Sequence, residues 1–489
     1  MQRITAHTAA PLLGTAATRQ LEAQAAAALP PHTLMRRAGL AVARLAMALA
    51  PHARTVWVAC GPGNNGGDGF EAALQLLRRG FAPLVSWRGD AARLPQDARA
   101  SLERAQSAGV VFSDTPPARW DLAIDALLGL GGRRAPQGHL ADWLQRMHAA
   151  DAPVLAVDLP SGLDADTGGS RAPALPQAAQ RHCLSLLSLK PGQFTHQGRD
   201  RCGALWFDDL GAGREAALAL ADARLAGAPA VRPRMHGSHK GSYGDVAVIG
   251  GAPGMAGAAL LAAMAALHAG AGRVFIGALD AAAPALDPVL PELMFRSADA
   301  LPLPGQTVVC GCGGGTAVAG HLPRLLQHAG PLVLDADALN ALAAEPALQA
   351  ALHQRQAPTV LTPHPLEAAR LLGSDTPQVQ ADRLQAARTL ARQFESAVVL
   401  KGSGSVIAAP DGLPVLNPTG NARLASAGTG DVLAGFIGAL LAQGRDAQDA
   451  ACEAAWRHGA LADHWPAGTA LTASALAQRW PGSEVAAPA

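Results

Sequence analysis

An aspartate in the first turn of a helix can take a proton from a hydroxyl while the unpaired backbone N–H groups beside it hold an anion. Asn417 to Gly435, reading NPTGNARLASAGTGDVLAG, has that arrangement: Gly428-Thr429-Gly430-Asp431 runs straight into the apolar VLAGFIGALLA. Asp431 can serve as a base toward a hydroxyl that attacks a phosphate, or as a residue that only complements the helix dipole. Lys401-Gly402-Ser403-Gly404-Ser405 offers a point charge beside free N–H groups, which suits a polyphosphate. Nearer the N-terminus, Gly61-Pro62-Gly63-Asn64-Asn65-Gly66-Gly67-Asp68-Gly69 sets two asparagines and an aspartate among five glycines. It reads as a polar loop for phosphate, ribose or a cation. Cys310 and Cys312 have no further Cys or His at ligand spacing, so no metal site is expected at them. His364, between prolines, reads first as a capped turn residue.

These groups all stand where strands end. Thr55–Cys60 feeds the Asn64–Asp68 loop, and a helix is expected from Phe70 to Arg79, stopped by Gly80. Asp121–Asp125 leads into Ala126–Arg134, and Val154–Asp158 into Leu159–Asp164. In a parallel sheet Asn65, Asp125, Asp158 and Ser161 would emerge together at the carboxyl edge, where such sheets bind ligands. A second series begins at Asp245–Ile249, followed by a glycine loop and the small-residue helix Ala258–His268, and continues through Val308–Cys310, Leu332–Leu334, Thr359–Leu361 and Ala397–Leu400. An Ala-rich stretch containing Pro229 and Pro233 puts the linker near 212 to 232, with domains at 1–215 and 225–489.

With 489 residues, 49% hydrophobic and 16% charged, the chain can bury two large cores and is too long for one ordinary domain. A net charge of +1 without basic runs argues against nucleic acid as a partner. The longest apolar stretches, Ala256–Leu267 and Val432–Ala442, are well short of a bilayer span, so no membrane role is expected. Six scattered cysteines without a CxxC pair imply a reducing compartment, read as cytoplasmic, and the N-terminal segment makes a poor signal peptide.

GPGNNGGDGF, AIDALLGLGGRR and VDLPSGLDADTGG resemble the signature segments of NAD(P)H-hydrate epimerase domains, and Lys190-Pro191-Gly192 also matches in type and order. HKGSYGDVAVIGG, DADALNAL, TPHPLEAARLLG, VVLKGSGSVI and GNARLASAGTGDVLAG resemble ADP-dependent NAD(P)H-hydrate dehydratase domains. Together, and in this order, they resemble the bifunctional NAD(P)H-hydrate repair enzymes. The resemblance implies an α/β protein of two domains, an N-terminal Rossmann-like doubly wound parallel sheet and a C-terminal ribokinase-like domain. It implies epimerisation of the R and S hydrates of NADH and NADPH by the first domain. The second would dehydrate the S form at the expense of ADP, releasing AMP and phosphate.

In the first domain it implies K+ on Asn65, Asp125 and Ser161, and substrate on Asn64, Asn65, Gly66, Gly67, Asp68, Gly129, Leu130, Gly131, Gly132, Arg133, Arg134 and Asp158, with Asp158 as acid/base. In the second it implies the adenine nucleotide on Lys401, Gly402, Ser403, Gly404, Ser405 and Gly430, and the hydrated dinucleotide against Ala258, Gly313, His364 and Asp431. Mg2+ is expected with the nucleotide, Asp431 is the expected base, and a homo-oligomer is the expected assembly. Leu130 stands where the family usually has Thr, Ala422-Arg423 where it has Pro-Gly, and GCGGG at 311–315 where it has GPGLG. A small-molecule kinase, and an N-terminal half that only binds a partner, are the alternative readings.

Overall fold

Val154–Val157 and Leu332–Leu334 are apolar and buried at every position, the pattern of strands covered on both faces. The computed structural model describes residues 1–131, 135–173, 180–283 and 285–480. It divides the chain into two units, Met1–Thr5 with Ala10–Arg224, and Ala6–Ala9 with Leu225–Ala489. Arg214–Ala219 is helical, within the stretch read from the sequence as linker. Among the described residues no helix is long and apolar enough to cross a membrane.

In the first unit the strands lie in the order Gln2–Arg3, Ala204–Asp208, Arg181–Leu186, Val154–Val157, Leu122–Ala126, Thr55–Cys60, Ala82–Ser86 and Val111–Ser113. All neighbours are parallel except the first pair. The chain leaves Thr55–Cys60 toward one edge and returns on its other side at Leu122–Ala126. The strand order therefore reverses between these two strands, which opens a crevice at their carboxyl ends.

The expected helix begins six residues early. Asn64–Leu77 is one helix, so the polar glycine segment is its first turns and not a loop. Close packing explains this: a Cβ on Gly66 would lie 2.1 Å from the Gly61 carbonyl oxygen, and one on Gly67 2.6 Å from the Met35 sulfur. A Cβ on Gly69 would lie 2.7 Å from both Ala126 Cβ and Cys60 Sγ. Glycine costs a helix up to about 1 kcal/mol per residue, and here that cost is offset by drawing the helix start down onto the strands.

In the second unit Met294–Ser297, Arg273–Ala278, Asp245–Gly250, Gln306–Cys310, Leu332–Leu334, Thr359–Leu361 and Ala397–Leu400 are parallel neighbours in that order, with Val406–Ala408 and Val415–Leu416 added antiparallel. The order reverses between Asp245–Gly250 and Gln306–Cys310. Helix Thr429–Ala442 is buried along nearly its whole length, as a helix apolar all round must be. Its Gly435 sits so near Ala256–His268 that a Cβ would lie 2.1 Å from the Ala262 carbonyl oxygen. This contact fixes the height at which Asp431 emerges at the sheet edge.

Candidate active sites

The reversal in the first unit holds a cavity of about 560 Å³. Asn64, Asn65, Asp68, Gly129, Leu130, Gly131 and Asp158 line it. Gly66 and Gly67 lie beneath, as packing surface. Gly132, Arg133 and Arg134 lie outside the described residues. Asp158 follows its strand in the left-handed region, at φ 66°. That conformation is costly for a non-glycine residue, and the surroundings hold it. Its carboxylate accepts from the Leu186 N–H at 3.1 Å and from the Lys190 ammonium, while the Gln193 amide donates to its carbonyl at 3.1 Å. Lys190 is fully buried, and its ammonium also donates to the Leu186 and Ser188 carbonyls at 2.8 and 2.9 Å.

Lys190 and Gln193, which hold Asp158 in place, are not singled out by residue types. The available signal was a lysine followed by Pro-Gly, which says nothing of burial. Asp68 faces the same cavity, and burial, reinforced by the charges of Asp158 and Glu22, raises its carboxyl well above the usual range. A carboxyl whose surroundings favour its protonated form and an ion-paired carboxylate thus share one crevice.

Behind the cavity, Asp125 is almost fully buried and accepts from the Ser161 hydroxyl at 2.6 Å, the Ser161 N–H at 3.0 Å and the Leu127 N–H at 3.2 Å. Burial raises its carboxyl. Asn65 Oδ1 occupies the space where Gly129 lacks a side chain, 2.9 Å from the position of a Cβ, and Asn65 Nδ2 has no hydrogen-bond partner. A buried carboxylate, a hydroxyl and an amide oxygen form an all-oxygen donor set that fits a hard monovalent cation.

In the second unit, Asp335 Oδ1 accepts from the Thr362 hydroxyl and the Lys401 ammonium, each at 2.7 Å, and Glu367 lies 3.9 Å from the same ammonium. Burial alone would lower Lys401, but Asp335 and Glu367 outweigh it and hold the ammonium above its ordinary value. A Cβ on Gly430 would lie 3.3 Å from Lys401 Nζ, so the start of the Asp431 helix and the lysine face each other directly. Asp431 is raised to about 6 by burial, then by Asp335. Glu367 is raised to about 7, chiefly by burial.

His364 caps helix Pro365–Leu372, its Nδ1 accepting from the Leu366 and Glu367 N–H groups at 3.1 and 3.3 Å. Burial, aided by Lys401, lowers it toward the neutral form that such acceptance needs. The turn 401–405 is held from below by Arg383, fully buried, which donates to the Leu400 and Lys401 carbonyls at 3.2 Å. Gly402 (φ 141°) and Gly404 (φ 62°) take backbone conformations that side chains rarely adopt, and the Ser405 hydroxyl closes the turn onto the Gly402 carbonyl at 3.3 Å. Ser403 lies within this turn. Gly313 and Ala258 meet across the reversal, a Gly313 Cβ position being 2.8 Å from Ala258 Cβ.

Asp335, Thr362, Glu367 and Arg383 were not singled out from the sequence. The first three stand in the strand-end segments DADALN and TPHPLE, and only the fold turns them toward one lysine. Ala422-Arg423 is accommodated by neighbours. Asn421 caps the short turn Ala422–Leu424 by accepting from the Arg423 N–H, Asp463 receives the Gly420 N–H at 2.8 Å, and the Arg423 guanidinium donates to the Trp465 carbonyl at 2.9 Å.

Comparison with known proteins matches residues 246–480 to the family described as NAD(P)H-hydrate dehydratase and residues 31–192 to the family described as YjeF-related protein N-terminus. The bifunctional NAD(P)H-hydrate repair enzyme Nnr of Escherichia coli K12 is 39% identical over 450 residues, covering 88% of this chain and 85% of that protein. The ADP-dependent (S)-NAD(P)H-hydrate dehydratase of Neisseria meningitidis is 46% identical over 253 residues, 50% of this chain and 85% of that protein. A crystal structure of the ADP/ATP-dependent NAD(P)H-hydrate dehydratase from Bacillus subtilis, co-crystallised with ATP and Mg2+, is 34% identical, covers 50% of this chain and 91% of that one, and has a TM-score of 0.44.

Proposed function

The chain belongs to the bifunctional NAD(P)H-hydrate repair enzymes, pairing an epimerase with an ADP-dependent dehydratase, and from that premise we propose how its own residues divide the work. At C6 the hydrated ring carries a hydroxyl next to N1. Loss of that hydroxyl as water, driven by the N1 lone pair, leaves a planar centre that water can re-enter from the opposite face. Protonated Asp68 gives the proton to the departing hydroxyl, and Asp158 takes one from the entering water. The protons given and taken balance, so the reaction is a net inversion. Lys190 keeps Asp158 aimed into the cavity. Asn65, Asp125 and Ser161 would hold K+, whose positive charge would steady the dinucleotide's phosphates at the start of helix Asn64–Leu77.

In the second unit hydroxide is the leaving group to be improved. Asp431 takes the proton of the C6 hydroxyl, whose oxygen attacks the terminal phosphorus of ADP, and the bond to AMP breaks. Lys401 and the N–H groups of Gly428 to Gly430 stabilise the transferred phosphoryl group. The C6–O bond then breaks to release phosphate, loss of the C5 proton restores the ring double bond, and the products are NAD(P)H, AMP and phosphate. Gly402 to Ser405 cradle the rest of the nucleotide, and Ala258, Gly313 and His364 border the dinucleotide. Mg2+ would be held mainly by the phosphates, since the carboxylates present supply too few oxygens for a cage of six. The observation that carries this reading is Asp431, raised to about 6 and set at a helix start that faces Lys401. Asp431→Asn should lower dehydration by about 10²- to 10⁴-fold with ADP affinity retained. Recovery of dihydronicotinamide absorbance from the S hydrate at the unchanged rate would refute it.

A further inference from the structure

The loop at the second unit's strand reversal carries a group for which the two proposed reactions have no use. Cys312 is completely buried, and its thiol sulfur lies within 4.8 Å of the Asp431 carboxylate. Ligand atoms of Cys312, Asp335 and Asp431 all lie within 4.8 Å of one another. They come from three separate segments: the glycine loop after Gln306–Cys310, the residue after Leu332–Leu334, and the first turn of Thr429–Ala442. Asp335 is 1% exposed, and both hydrogen bonds it accepts through its side chain fall on Oδ1. Oδ2 has no partner among the described residues and lies 3.9 Å from where a Gly430 Cβ would stand, on the Asp431 side.

We propose that Cys312, Asp335 and Asp431 form a binding site for a soft divalent cation of the Zn2+ type, and that occupying it shuts off the dehydratase. One sulfur and two carboxylate oxygens supply three ligands and leave a fourth position open, which suits tetrahedral Zn2+. The thiolate selects against Mg2+, which prefers six oxygens in near-ideal octahedral geometry. On binding, the Cys312 S–H bond gives its proton to solvent and the sulfur forms the metal bond. The thiolate and two carboxylates against the Lys401 ammonium leave two negative charges, which a divalent cation neutralises. Inhibition follows because the carboxylate of the proposed base becomes a ligand.

The test is titration of the full-length, reduced protein with Cd2+, in excess Mg2+ and without substrates, following thiolate-to-metal charge-transfer absorption. The wild type should show one saturable equivalent. Cys312→Ala should abolish the band, and Asp335→Asn, which keeps the thiol and the side-chain size, should weaken binding by about a hundredfold or more, since even outer-shell partners are worth about 10- to 100-fold. Cys452→Ala, at the one cysteine that is not fully buried, should leave the titration unchanged. Absence of the band in the wild type, its persistence in Cys312→Ala, or its loss to Mg2+ would each overturn the proposal. The readout uses neither ADP nor hydrate, so it fails or succeeds independently of the dehydratase mechanism. Zn2+ should then inhibit dehydration but not epimerisation, reversibly with a chelator, and equal inhibition of both would also count against the site.

Discussion

Replacing Lys190 by Met removes the ammonium from a pocket in which the lysine side chain is 0% and Asp158 15% exposed. The carboxylate of Asp158 keeps the Leu186 N–H as a donor, and the Leu186 and Ser188 carbonyls each lose one. Breaking a buried pair by removing one partner costs about 3–5 kcal/mol, because the other charge stays desolvated. Against a typical total stability of about 5–15 kcal/mol, Lys190→Met should sharply lower the unfolding midpoint of the first unit's transition. A second substitution distinguishes this from simple loss of packing. Asp158→Asn in the Lys190→Met background removes the orphaned charge, so the double variant should regain most of the lost stability. It should not regain epimerase activity, because the carboxylate proposed as acid/base is gone. Denaturant unfolding of the four full-length proteins, with epimerisation of the R hydrate measured on each, completes the cycle. If Lys190→Met and the double variant are equally unstable, the ammonium is acting as filler, and its role in holding Asp158 is wrong.

Glu367 is raised from 4.5 to about 7, so between those values the folded state holds a proton that the unfolded state has lost. Its contribution therefore favours folding at low pH and is lost as pH rises through about 7. Glu367→Gln should match wild-type stability near pH 4 and exceed it by up to about 3 kcal/mol at pH 8, as read by unfolding at the two pH values; a gain at pH 4 instead would reverse the sign. A Cβ on Gly61 would lie 1.7 Å from the Leu127 carbonyl oxygen. Gly61→Ala should thus push the two strand ends apart, cost about 1–3 kcal/mol and weaken the stimulation of epimerisation by added K+ that the proposed cation site predicts. An unchanged K+ response would separate that loop contact from the cation site.

What could be read from the sequence followed a physical divide. Strand-to-glycine punctuation is local, so Thr55–Cys60, Leu332–Leu334, Thr359–Leu361 and Ala397–Leu400 have the bounds expected from residue types alone. The helix start at Asn64 is not legible in the sequence because intrinsic propensity argues against Asn-Asn-Gly-Gly as a helix start. Only the tertiary approach of Gly61, Met35 and Ala126 makes those glycines worth their conformational cost. The same divide runs through the sites. A residue at a strand end can be nominated from its neighbours in the chain, whereas its partner comes from another strand and is set by strand order. Lys190 reaches Asp158 across 32 residues and Lys401 reaches Asp335 across 66. Cys312 is the sharpest case. Ligand spacing along the chain argued against a metal there, because that test looks for more Cys or His nearby in sequence. A doubly wound sheet instead gathers ligands from successive strand ends, so oxygen donors from 335 and 431 complete a set that no local motif contains.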